Sequence, residues 1–335
     1  MPDAALAESS AARIASSPVA HASISAVGTA LPDRIVETDE IARRHGIEPS
    51  WIVQRTGIRQ RRHAAEGDSL TDLAAKAARS ALDAAGLDAA DLDLVLVATL
   101  TQDDLLPNAA PLVADAIGAR GAFACDVGAA CTGFLSGLAL AAGQIECGRA
   151  RNALVIGADL LSRITDHGDR KTSGLFGDGA GAAVVGAGGA GAVERIVLRS
   201  DARQSECIVA SHEELLIRMR GQDTFRAAVD SLSAVTAEVL DAEGLSAAEI
   251  DLFVFHQANA RITRAVGERL GLPPTRVVDC IERLGNTSAA TLPLALAKAA
   301  RDGSLRRGDR VVLAAFGAGF VWGGGLIRWE GSVGE

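Results

Sequence analysis

Residues 82–98 read LDAAGLDAADLDLVLVA, and residues 240–256 read LDAEGLSAAEIDLFVFH. Nine of these seventeen positions are identical, at a constant offset of 158 residues and without a gap. Each copy has a glycine where a helix commonly ends, then a short polar turn, then an apolar run of strand length. Such a run is typical of a strand buried on both faces of a parallel sheet. The period is far too long for a solenoid, so the two copies predict an α/β protein made of two similar halves.

The segments before the first copy fit the same alternation of strand and helix. Apolar patterns predict a strand over residues 22–27, ending at Gly28, and a helix over residues 69–85. Gly86 follows that helix at the position where a glycine commonly ends one, and a second strand is predicted over residues 92–98. The first half therefore begins as a helix-connected pair of strands.

Glycine-rich segments close both halves. Residues 176–189 read FGDGAGAAVVGAGG, and residues 316–329 read FGAGFVWGGGLIRW. The GDGAGA pattern enters a strand and not a helix, so it lacks the structural context of a dinucleotide-binding loop. We expect an N-terminal half over residues 21–190 and a C-terminal half over residues 191–335. Residues 1–20, which are rich in Ala and Ser, are expected to form a flexible tail and not a signal peptide.

Composition excludes several classes of protein. The net charge of −9, from 33 basic and 42 acidic residues, argues against a general nucleic-acid binder. Hydrophobic residues make up 48% of the chain, so a large core can form, yet no apolar run reaches the roughly eighteen residues of a membrane span. Aromatic residues are only 3%, which predicts a core of small side chains. Five cysteines without CxxC spacing favour a reduced, cytoplasmic protein.

The first candidate for chemistry is Cys131, in the segment DVGAACTGF at residues 126–134. An apolar helix is predicted over about residues 132–146, which places Cys131 at the start of a buried helix. Unpaired N–H groups and the positive end of the helix dipole stabilise a thiolate, the nucleophilic form of cysteine. The alternative is a small cysteine of the core, and Cys125 is assigned to that class.

Two further segments hold candidate polar groups. His256, in DLFVFHQANARI at residues 251–262, stands where a buried strand ends and polar residues begin. Active sites of parallel α/β sheets gather at such strand ends, although a hydrogen-bonded core histidine is the alternative. Asn286, in LGNTSAATLP at residues 284–293, follows a glycine, and the alternative there is a plain turn before a capped helix.

The three segments, in this order, resemble those of the β-ketoacyl-[acyl-carrier-protein] synthase III family. The segments WIVQRTGIRQRR (51–62), FGDGAGAA (176–183) and FGAGFVWG (316–323) extend the resemblance over about residues 22–330. The resemblance implies a thiolase-like fold, with five αβαβα layers built from two duplicated halves, in a homodimer. It implies a decarboxylative condensation of an acyl-CoA with malonyl-acyl carrier protein, with no metal ion and no resident cofactor. Fatty-acid or polyketide synthesis would begin with this step.

The resemblance also assigns roles to residues of this chain. Cys131 would be the nucleophile, and the backbone N–H groups of Cys131 and Ala318 would form the oxyanion hole. His256 and Asn286 would hydrogen-bond the malonyl thioester and stabilise the enolate left by decarboxylation. The positions that match contacts to CoA and pantetheine are Trp51, Arg55, Thr56, Arg170 and Asn259.

Two surface expectations complete the assignment. Carrier proteins are acidic, so a local basic patch is expected despite the negative net charge, formed by Arg226, Arg261, Arg264 and Arg269.

Leu106 occupies a loop tip that, by resemblance, projects toward the partner's acyl pocket, where fatty-acid enzymes carry Phe. The segment of roughly residues 190–218 is also shorter than in fatty-acid enzymes. Both departures leave the acyl-CoA starter and the pathway open.

The sequence disfavours three other functions. An enzyme that only moves acyl groups, such as a priming enzyme of a natural-product pathway, often lacks the Asn of the triad, which is present here. A non-catalytic scaffold is disfavoured by the intact set of Cys, His and Asn. A thiolase would need a second cysteine near the C-terminal glycine motif, and FGAGF at residues 316–320 has none.

Overall fold

The structure is a computed structural model that describes residues 21–334. The tail expected over residues 1–20 lies outside the described residues. Helices occur in both halves of the chain and are, in order, α1 (Thr38–Arg44), α2 (Pro49–Thr56), α3 (Leu70–Ala85), α4 (Ala109–Ile117), α5 (Gly133–Glu146), α6 (Gly221–Glu243), α7 (Ala260–Leu270), α8 (Ile281–Leu284) and α9 (Thr291–Arg301).

The strands alternate with these helices. In chain order they are β1 (Ala22–Ala30), β2 (Ile35–Glu37), β3 (Gln60–Arg62), β4 (Leu94–Ala98), β5 (Phe123–Val127), β6 (Asn152–Leu160), β7 (Asp178–Ala187), β8 (Ala192–Ser200), β9 (Ile208–Ala210), β10 (Ile217–Met219), β11 (Leu252–Phe255), β12 (Arg310–Gly317), β13 (Val321–Arg328) and β14 (Ser332–Val333). The pairs β2–β3 and β9–β10 are small separate ribbons.

Two larger sheets have the same strand order. The first runs β14-β1-β7-β6-β4-β5 and the second runs β8-β13-β12-β11. In the first sheet β4, the strand of the first repeat copy, pairs in parallel with β6, and the pairs β6–β7 and β7–β1 are antiparallel. In the second sheet β11, the strand of the second copy, pairs in parallel with β12, and the pairs β12–β13 and β13–β8 are antiparallel. The counterpart of β5 in the second sheet is a single parallel bridge between Phe253 and Val277. The duplication predicted from the sequence is therefore confirmed.

The sheets and helices stack in five layers. Helices α5 and α9 pack between the two sheets, α3 and α4 cover the outer face of the first sheet, and α6 covers that of the second. The buried face of α3, which packs against β1, consists mainly of alanines. At Gly28 of β1 the two elements are so close that a Cβ on this glycine would lie 2.2 Å from the backbone nitrogen of Ala81. The expected α/β thiolase-like layering is thus present, with small side chains allowing close approach.

The predicted element bounds hold to within a few residues. β1 continues to Ala30, three residues past its predicted end, because residues 28–30 pair with β7. The helix predicted over 69–85 begins at Leu70, with Ser69 as its N-cap accepting from the amide of Asp72. The division at residue 190 stays a prediction. No helix in the described part of the chain is both long and apolar enough to cross a membrane.

Candidate active site

Cys131 lies in a short 3₁₀ turn, Ala130–Thr132, immediately before α5. Ala130 has φ 46°, in the left-handed region that non-glycine residues seldom adopt, and this turns the chain sharply between β5 and α5. The end of β12 approaches the same turn: a Cβ on Gly317 would lie 2.8 Å from the backbone nitrogen of Cys131. The nucleophile candidate therefore stands where elements of both halves of the chain meet.

The ionisation of Cys131 differs from the sequence-based expectation. Burial in the dense surroundings raises the pKa of the thiol to about 11, and the buried carboxylate of Asp159 adds to this rise. The Ser288 hydroxyl and the backbone amide of Cys131 lower the pKa of the thiol, but by less than burial raises it. Burial thus opposes the stabilised thiolate expected from the helix start, because desolvating a negative charge costs more free energy than the donors there contribute.

Ala318 follows β12 directly, beside the Cys131 turn. Its backbone N–H has no hydrogen-bond partner within residues 21–334. Its φ is not positive, so the alanine side chain introduces no backbone strain there. The amide is thus free to donate a hydrogen bond to a group bound at Cys131.

Asn286 is held by backbone pairing to the first half of the chain. Its N–H donates to the Leu175 carbonyl at 3.0 Å, and its carbonyl accepts from the Gly177 amide at 2.9 Å. The preceding Gly285 has φ 67°. A Cβ on this glycine would lie 3.2 Å from the Cβ of Arg61. A glycine is therefore required to bring Asn286 into this position.

His256 stands one residue past β11, and its backbone N–H donates to the Ala314 carbonyl of β12 at 2.8 Å. Only 2% of the residue is exposed, and its Nδ1 is buried without a hydrogen-bond partner. Burial lowers the pKa of the imidazole to about 3, so the ring is neutral at physiological pH. A neutral imidazole has one N–H donor to offer a substrate.

Trp51, Arg55 and Arg170 form a second group of predicted residues. The Arg55 guanidinium lies 4.2 Å from the centre of the Trp51 ring, and that of Arg170 lies 5.6 Å from it. Both arginines are exposed and neither forms an ion pair within the described chain. The Arg55 guanidinium also donates a hydrogen bond to the Trp51 carbonyl at 3.1 Å. An aromatic face beside two guanidinium groups without ion pairs is suited to an adenine ring and phosphates.

Thr56 and Asn259 are occupied by contacts within the protein. The Thr56 hydroxyl donates to the Ile52 carbonyl at 2.8 Å and accepts from the Ile58 amide at 3.1 Å. Asn259 caps α7 by accepting from the Arg261 amide, and its side-chain N–H donates to the Arg55 carbonyl, both at 2.9 Å. Thr56 therefore stabilises the end of α2, and Asn259 joins α2 to the start of α7.

The loop with Leu106 projects from a firmly held base. Asp103 accepts hydrogen bonds from the amides of Leu70 and Thr71 and an ion pair from Arg163, which lowers the pKa of that carboxyl well below its usual range. Beyond this base Leu106 is 82% exposed, and the adjoining Leu105 is 80% exposed. Two apolar side chains are thus presented to solvent on a loop that is hydrogen-bonded to α3 through Asp103.

The predicted docking arginines lie on α6 and α7, which pack against each other. Two of them are ion-paired and one stacks on an aromatic ring: Arg226 with Asp223 at 4.0 Å, Arg269 with Asp230 at 2.6 Å, and Arg261 over Phe225 at 5.4 Å.

Sequence reasoning missed two polar residues of this site. Asp159, in the buried strand β6, is fully buried, and Ser288, two residues past Asn286, is 1% exposed with φ 50°. An acidic residue inside the otherwise apolar run ALVIGADLL at residues 153–161 was the available signal for Asp159. No local pattern distinguishes Ser288.

Comparison with known proteins identifies the family. The model of "3-Oxoacyl-[acyl-carrier-protein (ACP)] synthase III" matches residues 125–202, and that of its C-terminal part matches residues 240–329. A Streptomyces coelicolor "Beta-ketoacyl-[acyl-carrier-protein] synthase III 2" is 43% identical over 93% of this chain and 95% of its own length. An Erythrobacter litoralis synthase III is 44% identical over 92% of this chain and 99% of its own.

Two solved structures of similar proteins support the same family. The 3-oxoacyl-[acyl-carrier-protein] synthase III of Aquifex aeolicus aligns with a TM-score of 0.89 at 38% identity, covering 92% of this chain and 100% of that one. A priming β-ketosynthase from the R1128 polyketide pathway aligns with a TM-score of 0.88 at 34% identity, covering 94% and 98%. The chain therefore belongs to the β-ketoacyl-[acyl-carrier-protein] synthase III family, a family of acyltransferases that carry out the initiating condensation.

Proposed function

We propose that this enzyme condenses an acyl-CoA starter with malonyl-acyl carrier protein through an acyl-cysteine at Cys131. The observation that carries the proposal is the junction of the two halves, where the Cys131 turn, the end of β12 and the Asn286 segment meet. His256, Asn286 and the amide of Ala318 supply hydrogen-bond donors there. The enzyme needs donors of this kind, because negative charge develops on thioester oxygens in both half-reactions.

In the first half-reaction Cys131 Sγ attacks the thioester carbonyl of the acyl-CoA. The carbonyl oxygen becomes an oxyanion, which the amides of Cys131 and Ala318 stabilise. Collapse of this intermediate breaks the bond to the CoA sulfur, and CoA leaves as its thiol with the proton of the cysteine.

In the second half-reaction His256 and Asn286 act on the malonyl thioester. The carbon–carbon bond to the carboxylate breaks, CO₂ leaves, and the electron pair moves onto the thioester oxygen as an enolate. Two neutral N–H donors stabilise this charge without adding a competing negative group. The enolate carbon then attacks the acyl-cysteine, and the Cys131 thiolate leaves and is protonated again.

Trp51, Arg55 and Arg170 are proposed to hold the nucleotide end of CoA. The indole face stacks on adenine, and the two guanidinium groups pair with phosphates. Thr56 and Asn259 act indirectly, since their side chains hold α2 in place through contacts to Ile52, Ile58 and Arg55. Acyl-CoA is thus a substrate, and the proposed reaction requires no metal ion or resident cofactor.

A homodimer is proposed on the free edge of the first sheet. β5 is an edge strand of that sheet, and its Phe123 is 68% exposed. An exposed strand edge with an apolar residue is a template for pairing with another chain. The exposed Leu105 and Leu106 would be buried in the same assembly, with Leu106 entering the acyl pocket of the partner subunit.

Carrier-protein docking is proposed at α6 and α7, centred on Arg261. This guanidinium has no carboxylate partner within the described residues, whereas Arg269 is paired with Asp230 and Arg226 lies near Asp223. An unpaired charge keeps its attraction for an acidic protein.

All five cysteines are free, which suits the reducing cytoplasm, where we place the enzyme.

A second candidate is the priming ketosynthase of a polyketide pathway. It is favoured by the structural similarity to the R1128 enzyme and by Leu106 at the loop tip. The chemistry is the same, and the starter acyl group differs.

One experiment tests both candidates. The enzyme is given a panel of acyl-CoAs, and the intact mass identifies the acyl group that it retains. Malonyl-acyl carrier protein is then added, and CO₂ release is measured. Acylation followed by CO₂ release supports the condensing function, and a preferred branched or longer acyl group supports the priming enzyme. Acylation without CO₂ release would indicate an enzyme that only transfers acyl groups.

A further inference from the structure

Gln257 is a fully buried polar residue at the point where the chain leaves β11. Its side-chain Nε2 donates hydrogen bonds to the Phe255 carbonyl at 2.9 Å and to the Val278 carbonyl at 3.1 Å. Its side-chain Oε1 accepts from the backbone N–H of Cys280 at 3.1 Å. One side-chain amide therefore joins the end of β11 to residues 278–280, which lead into α8.

The bonds of Gln257 to residues 278–280 have the pattern of a parallel strand pair. A residue in a parallel strand donates to a carbonyl of the neighbouring strand and accepts from the amide two residues further along it. The Gln257 side chain does the same with Val278 and Cys280, the residues on either side of Asp279. The side-chain amide thus stands where the peptide group of a neighbouring strand would stand.

The sequence repeat shows what this contact replaces. In the first sheet five residues of β4 pair with five of β5. In the second sheet the corresponding pairing is the single bridge between Phe253 and Val277. Two residues further on, the same register would place Phe255 opposite Asp279, and the Gln257 amide occupies the place between them. A side chain therefore continues a pairing that the backbone does not make here.

The position of His256 depends on the backbone that Gln257 holds. The Nδ1 of the His256 ring has no hydrogen-bond partner among residues 21–334, so the ring is not anchored through that atom. The His256 N–H donates to the Ala314 carbonyl at 2.8 Å. The His256 carbonyl accepts from the Ala258 amide at 3.0 Å, which closes a tight turn centred on Gln257. The Gln257 side chain fixes this turn to the end of β11.

The segment on the other side of the contact leads to Asn286. Helix α8 begins directly after Cys280 and ends at Gly285, and Asn286 follows. The Cys280 carbonyl accepts from the Leu284 amide at 3.2 Å, so Cys280 is bonded to the last residue of this short helix. A displacement of Cys280 would therefore move the helix that precedes Asn286.

Gln257 acts through other residues and not on the substrate. A glutamine side chain has two N–H donors, and Gln257 gives both of them to main-chain carbonyls. The residue has no exposed surface. Its amide therefore has no donor left for a thioester, which distinguishes Gln257 from the proposed donors His256 and Asn286.

We propose that Gln257 is a positioning residue for the decarboxylation step. Its side-chain amide sets the position of His256 relative to the start of α8 and, through this helix, relative to Asn286. Two donors on separate segments stabilise one enolate only when both are held in place. This role deepens the proposed function and rests on it. The first half-reaction uses Cys131 and the amide of Ala318, so it does not depend on Gln257.

The first test separates the two half-reactions in Gln257→Met, which keeps a side chain of similar length and removes all three hydrogen bonds. Enzyme already acylated at Cys131 is mixed with malonyl-acyl carrier protein, and CO₂ release is followed. We expect the maximal rate to fall about 10- to 100-fold, the loss caused by a misplacement of about 1 Å, with the KM for carrier protein within about twofold of wild type. Acylation of Cys131 should be retained. Equal loss of both half-reactions would overturn the proposal.

Arg276→Met is the matched control. The Arg276 guanidinium donates to the Ala248 and Ile250 carbonyls at 3.0 and 3.2 Å, so it holds the same connection at the other end of β11, away from His256. Both half-reactions should stay within about twofold of wild type in this variant. A selective loss of CO₂ release as large as in Gln257→Met would show that any loosening of this edge suffices, and the proposal would fail.

Gln257→Glu makes the donor depend on pH. A protonated carboxyl group donates one hydrogen bond and an ionised one donates none, and burial favours the protonated form by raising its pKa. Relative to wild type at the same pH, CO₂ release should be faster than in Gln257→Met at about pH 6 and should approach it at about pH 9. A rate equal to that of Gln257→Met throughout would overturn the proposal. If Gln257→Met does not fold, a constant ratio of Gln257→Glu to wild type has the same meaning.

Hydrogen exchange of the free protein tests the contact without any substrate. The Cys280 amide donates to Gln257, so Gln257→Met should speed exchange in the peptide that contains Cys280, and by more than Arg276→Met does. Unchanged exchange would refute the contact. Failure of the proposed function has a separate sign, because the wild-type enzyme would then release no CO₂. An active wild type with full CO₂ release in Gln257→Met would refute the positioning role alone.

Discussion

The side-chain oxygen of Asn286 accepts a hydrogen bond from the backbone N–H of Ser288 at 2.9 Å. This bond determines the orientation of the amide, so the NH₂ group points away from the turn. No residue of the described chain accepts a hydrogen bond from that NH₂ group. The donor is therefore oriented before substrate binds, which reduces the reorganisation needed during reaction.

The first prediction follows from this orientation. Asn286→Ala or His256→Ala should retain acylation of Cys131 but lose about 10²–10³ in the rate of malonyl decarboxylation, since each removes one donor from the enolate. Intact mass reports the first half-reaction and CO₂ release reports the second. Equal loss of both half-reactions would show that the donors do not act on malonyl-carrier protein alone.

The second prediction concerns the nucleophile. Cys131→Ala should abolish the acyl-enzyme, whereas Cys125→Ala, six residues earlier on β5, should retain it. Burial also raises the pKa of Cys125, but this cysteine lies on a strand and not at the junction of the two halves. Intact mass after exposure to acyl-CoA measures both. Persistent acylation of Cys131→Ala at another cysteine would contradict the assignment.

The third prediction is a pH dependence of stability. Burial lowers the pKa of His256 from 6.5 to about 3, so the unfolded state binds a proton more readily than the folded one. The contribution of the neutral His256 ring to the free energy of unfolding is therefore complete above pH 6.5. It is lost as the pH falls toward 3, at up to about 1.4 kcal/mol per pH unit.

Denaturant unfolding at pH 7, 6 and 5 measures this effect. His256→Gln should show a shallower loss of unfolding free energy than wild type over that range. Burial also lowers the pKa of His63, but this residue is present in both proteins, and its contribution cancels in the comparison. Parallel pH profiles for the two proteins would show that His256 does not titrate in this way.

The fourth prediction tests carrier-protein docking. Arg261→Glu should raise the KM for malonyl-acyl carrier protein, and the wild-type KM should rise with salt. Arg269→Glu is the comparison variant and should have a smaller effect, because Asp230 already neutralises Arg269 at 2.6 Å. Steady-state kinetics with varied carrier protein gives both values. An unchanged KM in Arg261→Glu would exclude this surface.

The fifth prediction concerns the starter. Leu is smaller than Phe, so the partner's acyl pocket should hold one or two additional methylenes, each stabilised by about 0.8 kcal/mol on burial. Leu106→Phe should lower kcat/KM for longer acyl-CoAs and leave acetyl-CoA little affected. A strong preference for acetyl-CoA in both forms would refute the wider pocket.

Much of the fold was readable in the sequence because its signals are local. Gly86 and Gly244 occupy equivalent positions of the repeat and end their helices with φ 62° and 65°, as a C-terminal glycine does. His256 could be placed because a polar residue follows a buried strand directly. Each of these inferences needs only a few neighbouring residues.

What escaped prediction depends on contacts between distant residues. Asp159 and Ala289 are 130 residues apart, and nothing near either one indicates that they are hydrogen-bonded. The ionisation of Cys131 was mispredicted for the same reason: the helix start is local, whereas the burial and the carboxylate that raise the pKa come from the assembled fold. Gly28 reads as the end of a strand, but the pairing of residues 28–30 with β7 places it inside one.

The two sheets differ at the edge where the first has β5. That strand is five residues long, while its counterpart in the second sheet is reduced to the bridge between Phe253 and Val277. A duplicated molecule with two like edges could join copies head to tail into an open filament, because each added copy would present another free edge. With a single full edge of this kind, two-fold pairing uses it up in both copies. In the proposed homodimer, the difference between the two edges would therefore favour a closed pair.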